Sequence, residues 1–368
     1  MKLVYSLLLI ASLSVNVRAQ KSTVQLAPDS ILNQMKKVAD WQINEFSEGS
    51  VKIPKTNWEN GALYAGVMAL KKVSDDKAYY DFLYGIAESN KWGLGRFHLF
   101  ADDYCVAQMY TEMYMQYKEP KMIAKWVALA DTIVDHQFNE PLKVAPNINH
   151  REWAWCDALF MGPPALAYLS TAKKDLKYLK KSDTLWWKTS DYLFDKEAKL
   201  YYRDSRFFNM KEKNGEKVFW SRGNGWVMGG LVRVMDNMPK NFTNRKEYET
   251  QFKQMAEKIA SLQQADGSWH ASLLDPITFS EKETSGTGFF CYAITWGIRK
   301  GLLPKKKYLP VVEKAWDALV KSVHPNGKLG YVQNVGDKPG AAGYESTNVY
   351  GVGAFLLAGS ELYLMNKR

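Results

Sequence analysis

Cysteine is scarce in this 368-residue chain, with only Cys105, Cys156 and Cys291. An odd number leaves at least one thiol unpaired, and all three sit in apolar stretches. No Cys-x-x-Cys or His-x-x-His spacing occurs, so buried free thiols are expected in place of a disulfide framework or a structural zinc site. Histidine is limited to five residues, none in a segment that would obviously partner a cysteine, which disfavours a Cys–His nucleophile. Alternating strand-like runs are few, which argues against a sheet. No long charged or Gly/Ser/Pro tract suggests disorder. The one sustained apolar run, Leu3 to Leu13, is too short to span a bilayer, so no membrane span is expected.

That run follows Met1-Lys2 and ends near the small residues Val17 and Ala19, the pattern of a secretory signal cleaved after Ala19. The expectation is a signal peptide over 1–19 and a single catalytic domain over 20–368. The mature chain would be exported, and periplasmic in a Gram-negative cell.

What the chain has in abundance is positive charge and aromatic rings. Lys plus Arg number 49 against 39 Asp plus Glu, a net +10. Nucleic acid is not indicated, because an electrostatic footprint requires clustering, and Lys71, Lys121, Lys211, Lys253 and Lys321 are scattered. The longest run, Lys305 to Lys307, stands at a helix start. Solvated helix faces account for the charge. Thirteen Trp, 21 Tyr and 16 Phe are harder to explain by packing alone and suit a protein that stacks on rings.

Apolar residues recur at three- and four-residue spacing almost throughout. The pattern predicts twelve helices, over about 28–46, 58–73, 76–90, 101–118, 120–138, 152–171, 174–193, 222–237, 244–264, 285–300, 305–323 and 347–365. Asp29 or Ser30 could cap the first and Thr347 the last. Odd-numbered segments are charged on one face, as in Arg245-Lys246-Glu247-Tyr248-Glu249. Even-numbered ones are apolar nearly all round and rich in small residues, as in Gly351-Val352-Gly353-Ala354-Phe355. A helix apolar on all sides is buried, and small residues let axes approach. Six buried helices alternating with six half-wet ones predict an all-α fold, an (α/α)6 barrel of six inner and six outer helices. An open solenoid of helix hairpins is the competing architecture.

In an up-down barrel the six inner helices begin at one end, and their first turns hold most of their polar residues. These are Trp58-Glu59-Asn60, Asp102-Asp103, Trp153 to Asp157, Arg222 to Trp226, Glu283-Thr284-Ser285 and Glu345 to Asn348. Capping favours Asp, Ser, Thr and Asn there. It does not explain Arg222, whose sign is wrong for a helix N-terminus, nor the tryptophans. A pocket mouth for a sugar does: Trp58, Trp155 and Trp226 for stacking, Arg222 as a bidentate partner for a uronate carboxylate. Asp103 and Asp157, on different helices, could meet as paired carboxylates for acid/base work. Asp157, placed a turn inside its helix, would have its pKa raised by burial. His270, in Asp266-Gly267-Ser268-Trp269-His270, lies on a loop at the same rim and could bind substrate.

Trp153-Ala154-Trp155-Cys156-Asp157, Trp220-Ser221-Arg222-Gly223-Asn224-Gly225-Trp226, Asp266 to His270, Glu283 to Thr287 and Tyr350-Gly351-Val352-Gly353 together carry a resemblance. The chain resembles the unsaturated rhamnogalacturonyl hydrolases of glycoside hydrolase family 105, and more distantly the unsaturated glucuronyl hydrolases of family 88. The resemblance covers nearly the whole mature chain and implies an (α/α)6 barrel. It also implies removal of a 4,5-unsaturated uronic acid from lyase-generated oligosaccharides of pectin or a similar acidic glycan, by hydration of the C4=C5 bond.

On this resemblance Asp157 matches the acid/base position and Asp103 the second acidic position, with Asp102 making the register ambiguous by one. Arg222, Trp226 and His270 match substrate-contacting positions. Acid/base hydration by carboxylates needs no metal or organic cofactor. Many members carry a histidine where this chain reads Tyr202-Arg203-Asp204-Ser205-Arg206. Arg203 and Arg206 would then supply charge near the leaving sugar. Two other readings stay open: an inverting glycosidase or lyase on the same barrel, and a non-catalytic glycan-binding protein, which would have no need of a buried Asp157.

Overall fold

A computed structural model describes residues 26–367. The signal segment expected over 1–19 lies outside the described residues. The described residues hold twelve α-helices: α1 (Pro28–Ser47), α2 (Trp58–Val73), α3 (Lys77–Ser89), α4 (Ala107–Tyr117), α5 (Ala124–Asp135) and α6 (Ala158–Lys173), followed by α7 (Leu176–Leu193), α8 (Ser221–Asp236), α9 (Arg245–Ser261), α10 (Thr284–Arg299), α11 (Lys305–Val320) and α12 (Val349–Asn366). One two-residue hairpin, β1 (Phe194–Asp195) with β2 (Leu200–Tyr201), follows α7.

The even-numbered helices pack in a closed cycle, α2 on α4, α4 on α6, α6 on α8, α8 on α10, α10 on α12 and α12 back on α2. Closure, not an open solenoid, is therefore the architecture. The odd-numbered helices lie outside the ring. In α1 the buried positions are Ile31, Met35, Val38, Ala39 and Gln42, one stripe at three- and four-residue spacing. In α6 and α12 burial runs all round. Where α2 crosses α12, a Cβ at Gly66 would meet the Gly353 carbonyl oxygen at 2.5 Å, so two glycines set the closing distance of the ring.

Within α6, Pro163 and Pro164 remove the N–H partners of Leu159 and Phe160. Gln108 of α4 reaches across and donates to the Phe160 carbonyl at 2.8 Å. Gly230 of α8 lets that helix lie directly against the Leu159 carbonyl. Adjacent inner helices thus repair what the prolines break, and α6 stays continuous.

Two helix starts differ from the sequence reading. Residues 152–156 form a loop, tied by the Cys156 N–H to the Arg203 carbonyl at 2.9 Å, so Asp157 is the N-cap residue of α6 and not a turn inside it. Asp102 and Asp103 sit in a separate 3-10 turn, Ala101–Tyr104, ahead of α4. The expected caps are also absent. Ala27 precedes α1 and Asn348 precedes α12, neither with a side-chain cap. Cys105, Cys156 and Cys291 are buried free thiols. No helix among the described residues is long and apolar enough to cross a membrane.

Candidate active site

If the polar residues at the inner-helix starts were caps, their side chains would bond the first N–H groups of their own helices. Only Glu283 does so, accepting from Ser285 and Gly286 ahead of α10. The starts of α2, α6, α8 and α12 have no side-chain cap. Instead this end of the barrel carries buried polar atoms with no hydrogen-bond partner in the protein: Glu59 Oε2, Asp102 Oδ1, Ser221 Oγ, Arg222 Nε, Thr347 Oγ1 and Asn348 Oδ1. Buried polar atoms are rarely left unmatched. A concentration of them at one end of the barrel marks a place built for a polar ligand.

Asp157 is the centre of this group, with 8% of its surface exposed. Arg203 Nε lies 3.3 Å from its Oδ2, and the Cys156 thiol lies 3.5 Å from the same oxygen. Burial raises the Asp157 pKa, while the Arg203 and Arg222 charges pull against that rise without cancelling it. Asp102 feels burial and then the Asp157 charge, with Arg203 opposing and Asp103 and Glu59 adding to the rise. Its carboxyl is held well above the ordinary range. Glu59 is raised by burial as well. Burial thus lifts both carboxyls, and the Asp157 charge adds to the rise at Asp102.

The acidic partner of Asp157 is therefore Asp102. The Asp103 carboxylate turns the other way and accepts from the Phe97 N–H, while its carbonyl accepts from Gly95 N–H. Asp103 shapes the loop 94–100 and does not face Asp157. Asp103, expected to meet Asp157, is thus engaged with the loop while Asp102 feels the Asp157 charge, because a 3-10 turn aims successive side chains about 120° apart.

Arg222 is fully buried. Its two terminal nitrogens donate to the carbonyls of Gln333 (2.7 Å) and Asn334 (2.9 Å). Its guanidinium carbon lies 4.4 Å from the Trp220 ring centre and 4.8 Å from that of Tyr350. Those bonds fasten the loop 331–340 over the site and leave Nε as the nitrogen without a partner, so the expected bidentate fork on a ligand is already engaged. Ser221 Oγ, next to it in sequence, is a second unpartnered donor.

Aromatic rings form two walls. On one, Trp58 stacks on Tyr350 (5.4 Å, 23°) and meets Trp226 edge-on (5.8 Å, 87°), with Trp226 backed by Phe160 and Phe289. On the other, Trp155 leans on Phe100 (5.4 Å, 32°). Trp226 and Trp155 are buried, and Trp58 is half-buried. The three tryptophans thus belong to rim segments of different inner helices. His270 stays on its rim loop, where Nδ1–H donates to the Pro276 carbonyl at 2.9 Å and leaves Nε2 free. No contact joins it to the acid pair.

Tyr350 and Gln333 went unassigned as individual residues in the sequence. Tyr350 adjoins the glycine-rich start of α12, which gave a signal. Gln333, whose side chain accepts from Trp220 Nε1 at 2.9 Å and donates to the Lys338 carbonyl at 2.9 Å, lies in a loop that gave none.

Along nearly its whole described length the chain is similar to known proteins. A relative from Formosa agariphila, an unsaturated 3S-rhamnoglycuronyl hydrolase, is 37% identical over 363 residues, covering 96% of this chain and 94% of its own length. One of the same description from Alteromonas sp. strain LOR is 34% identical over 89% of this chain and 84% of its own. A solved structure described as a glycosyl hydrolase family 88 protein from Bacteroides vulgatus superposes with a TM-score of 0.82 at 30% identity, over 92% of this chain and 99% of that one. A second, described as a polysaccharide lyase, gives 0.83 at 31%, over 92% and 97%. A possible family 105 member from Salmonella enterica shares the fold at 0.75 and 18% identity, over 97% of this chain and 99% of that one. The model of Glycosyl Hydrolase Family 88 matches residues 34–366, and the chain belongs to that family of glycoside hydrolases.

Proposed function

We propose that this enzyme removes a 4,5-unsaturated uronic acid from the non-reducing end of oligosaccharides left by a polysaccharide lyase, by hydrating the C4=C5 bond. The observation that carries the reading is the buried Asp157–Asp102 pair at the end of the barrel that also gathers Trp58, Trp155 and Trp226 and several unpartnered polar atoms. Two relatives named unsaturated rhamnoglycuronyl hydrolases, matched along nearly the whole chain, support it.

In such a substrate C5 bears both the carboxylate and the ring oxygen, so the double bond is an enol ether. Protonation at C4 by Asp157 places positive charge on C5, where the ring oxygen shares it. Water adds at C5 and returns a proton to the acid pair. The resulting hemiketal breaks its bond from C5 to the ring oxygen, leaving a C5 ketone and a hemiacetal at C1. The hemiacetal then expels the leaving sugar. A glycosidase acting by displacement would require a nucleophile or base set across the anomeric carbon. This route asks only for one proton donor that becomes a base.

Arg222 and Arg203 favour the charged form of Asp157 in the free enzyme. A uronate carboxylate on the Arg222 Nε and Ser221 Oγ donors would offset that charge. Binding of the substrate would then raise the Asp157 pKa further and arm it as an acid.

The polysaccharide-lyase description of one neighbour keeps a lyase as the second reading. A single assay separates the two: mixing the protein with lyase-digested ulvan or pectin and following the ultraviolet absorbance of the conjugated double bond. Absorbance falls on hydration and rises for a lyase. An Asp157→Asn variant is expected to bind unsaturated oligosaccharide without consuming it, and unimpaired turnover by that variant refutes the assignment. Export, which rests on residues 1–19, is part of the same proposal and is tested by fractionating cells that express the full chain.

A further inference from the structure

Arg203 and Arg206, which the sequence offered as charges near the leaving sugar, are both engaged within the protein. Arg206 bridges Asp204 and Asp337, each at 2.7 Å, and Arg203 donates to Asp204 at 2.8 Å. Held from behind in this way, Arg203 presents Nε to Asp157 Oδ2 at 3.3 Å. The Cys156 thiol donates to that same oxygen at 3.5 Å. Among the described residues no side chain or backbone N–H of another residue bonds to Asp157 Oδ1. A cation and a thiol hydrogen thus converge on one oxygen of the acid, and the other is left for a ligand.

Asp157 stands at the N-cap of α6, where an aspartate ordinarily accepts from the second or third N–H of its own helix. It makes no such bond, so Cys156 and Arg203 hold its carboxyl in place of the helix. The Cys156 N–H donates to the Arg203 carbonyl at 2.9 Å, which fixes those two residues to one another. Its Sγ is fully buried and lies beside Gly223 of α8, where a Cβ would come within 3.2 Å of the sulfur. A thiol suits such a place, because it packs as a small apolar group and still donates weakly.

We infer that Cys156 is a positioning residue for the acid: with Arg203 it holds Asp157 Oδ2, so that Oδ1 delivers the proton to C4 of the unsaturated ring. The inference rests on the proposed hydrolase reading. A proton on Oδ2 would point at the Arg203 N–H and the thiol hydrogen and find no acceptor. On Oδ1 it meets neither. The Oδ1–H bond breaks as the C4–H bond forms, and Oδ1 recovers a proton from water as the water oxygen bonds to C5. A hydroxyl in place of the thiol would donate more strongly and hold Asp157 more firmly as the anion, whereas the weaker thiol leaves it an acid.

The charged and titratable groups facing the Asp157 carboxyl are Arg203, Arg222 of α8, Asp102 ahead of α4 and Cys156 itself. Glu59 of α2 acts on Asp102, and Asp204 on Cys156. The test changes Cys156 alone. A hydrogen bond to a carboxylate favours its charged form. In Cys156→Ala the alkaline limb of kcat/KM should therefore move up by about half a pH unit, the scale of one weak hydrogen bond. Its kcat should fall about tenfold with KM within twofold, short of the roughly hundredfold that a misplacement of about 1 Å can cost. Cys156→Ser keeps a donor and should bring the limb back to the wild-type position or below it. A limb that stays in place in Cys156→Ala, or that moves up equally in both variants, overturns the positioning role and leaves the hydrolase reading standing. Melting temperatures show whether the variants fold. If neither does, a crystal of Asp157→Asn with an unsaturated disaccharide decides. C4 is expected nearest the branch of the side chain turned away from Arg203 and Cys156, and C4 against the branch they hold refutes the inference. Absence of wild-type turnover on every unsaturated substrate removes the hydrolase reading, and this inference with it.

Discussion

Asp157 receives two opposed instructions. Burial withholds its charge, and Arg203 with Arg222 invites it. Beside it, burial and the Asp157 charge hold the Asp102 carboxyl well above the ordinary range. A donor must be protonated, so activity falls as pH rises through the pKa of the group that donates. Substrate carboxylate on Arg222 removes part of the invitation. The alkaline limb of kcat, which reports the complex, is expected at higher pH than that of kcat/KM, which reports the free enzyme. Arg203→Gln should move the kcat/KM limb upward too, since a charge that favours ionised Asp157 is gone. Coincident limbs in wild type would count against arming by substrate.

Asp102 also has a stability consequence. Its folded pKa lies above the unfolded value of about 3.9, so its ionised form is disfavoured by folding. That contribution is favourable below the unfolded pKa and is lost as pH rises through the folded one. Asp102→Asn is thus expected to reduce turnover by about a hundredfold or more, the scale of a lost acid/base group. It should not lower the melting temperature at pH 8, and a rise of ~2–4 °C is expected.

At the scale of elements, the helices were legible and their first turns were not. Period and burial are linked locally: a stripe on α1 and all-round apolarity on α12 can be read from the residues themselves. The starts of α4 and α6 are set by distant bonds, Gly95 to Asp103 on one side and Cys156 to Arg203 on the other. Nothing within residues 101–104 says which of two adjacent aspartates faces a helix more than fifty residues away. The site was legible as a collection of residue types at one end of the barrel, down to Asp157, Trp58, Trp155 and Trp226, but not as a set of pairings. Asp103 shows the difference. Asp103→Asn keeps an oxygen for the Phe97 N–H and should retain activity within about threefold, whereas Asp103→Ala frees the loop and should cost about tenfold, chiefly in KM. These factors correspond to the ~1 kcal/mol of a typical hydrogen bond. A hundredfold loss in Asp103→Asn would return the second acid to that residue.

On the scale of the whole molecule, the ring that gathers the acids at one end must also be closed at the other. There Arg233 of α8 donates to Gln108 at 2.6 Å and to Glu112 at 2.5 Å, both on α4, and Lys72 of α2 pairs with the same Glu112. Arg299 of α10 pairs with Glu361 of α12 at 2.6 Å. These ion pairs tie inner helices across the barrel, and Gln108 links them to the Phe160 carbonyl one turn below Asp157. Burial pushes the Glu112 carboxyl up, yet Lys72 and Arg233 together hold it below the usual range. Its contribution to stability is therefore present above the unfolded pKa and lost as pH falls through the folded one. Arg233→Ala strands one side of a buried pair, a loss of about 3–5 kcal/mol, or roughly 6–15 °C in melting temperature at pH 7. With one cation gone, burial prevails and Glu112 takes up a proton more readily. Protonation then removes the buried charge that Lys72 alone is left to balance, so the gap between variant and wild type should narrow below about pH 4, near the unfolded glutamate value. Turnover at 20 °C, where the variant is still folded, should stay within about threefold, because no hydrogen bond or ion pair of the network reaches Asp102 or Asp157 directly. A gap that widened in acid would mean that Arg233, and not burial, governs Glu112 in the wrong direction. A turnover loss without a fall in melting temperature would place Arg233 in the chemistry and not in the closure of the ring.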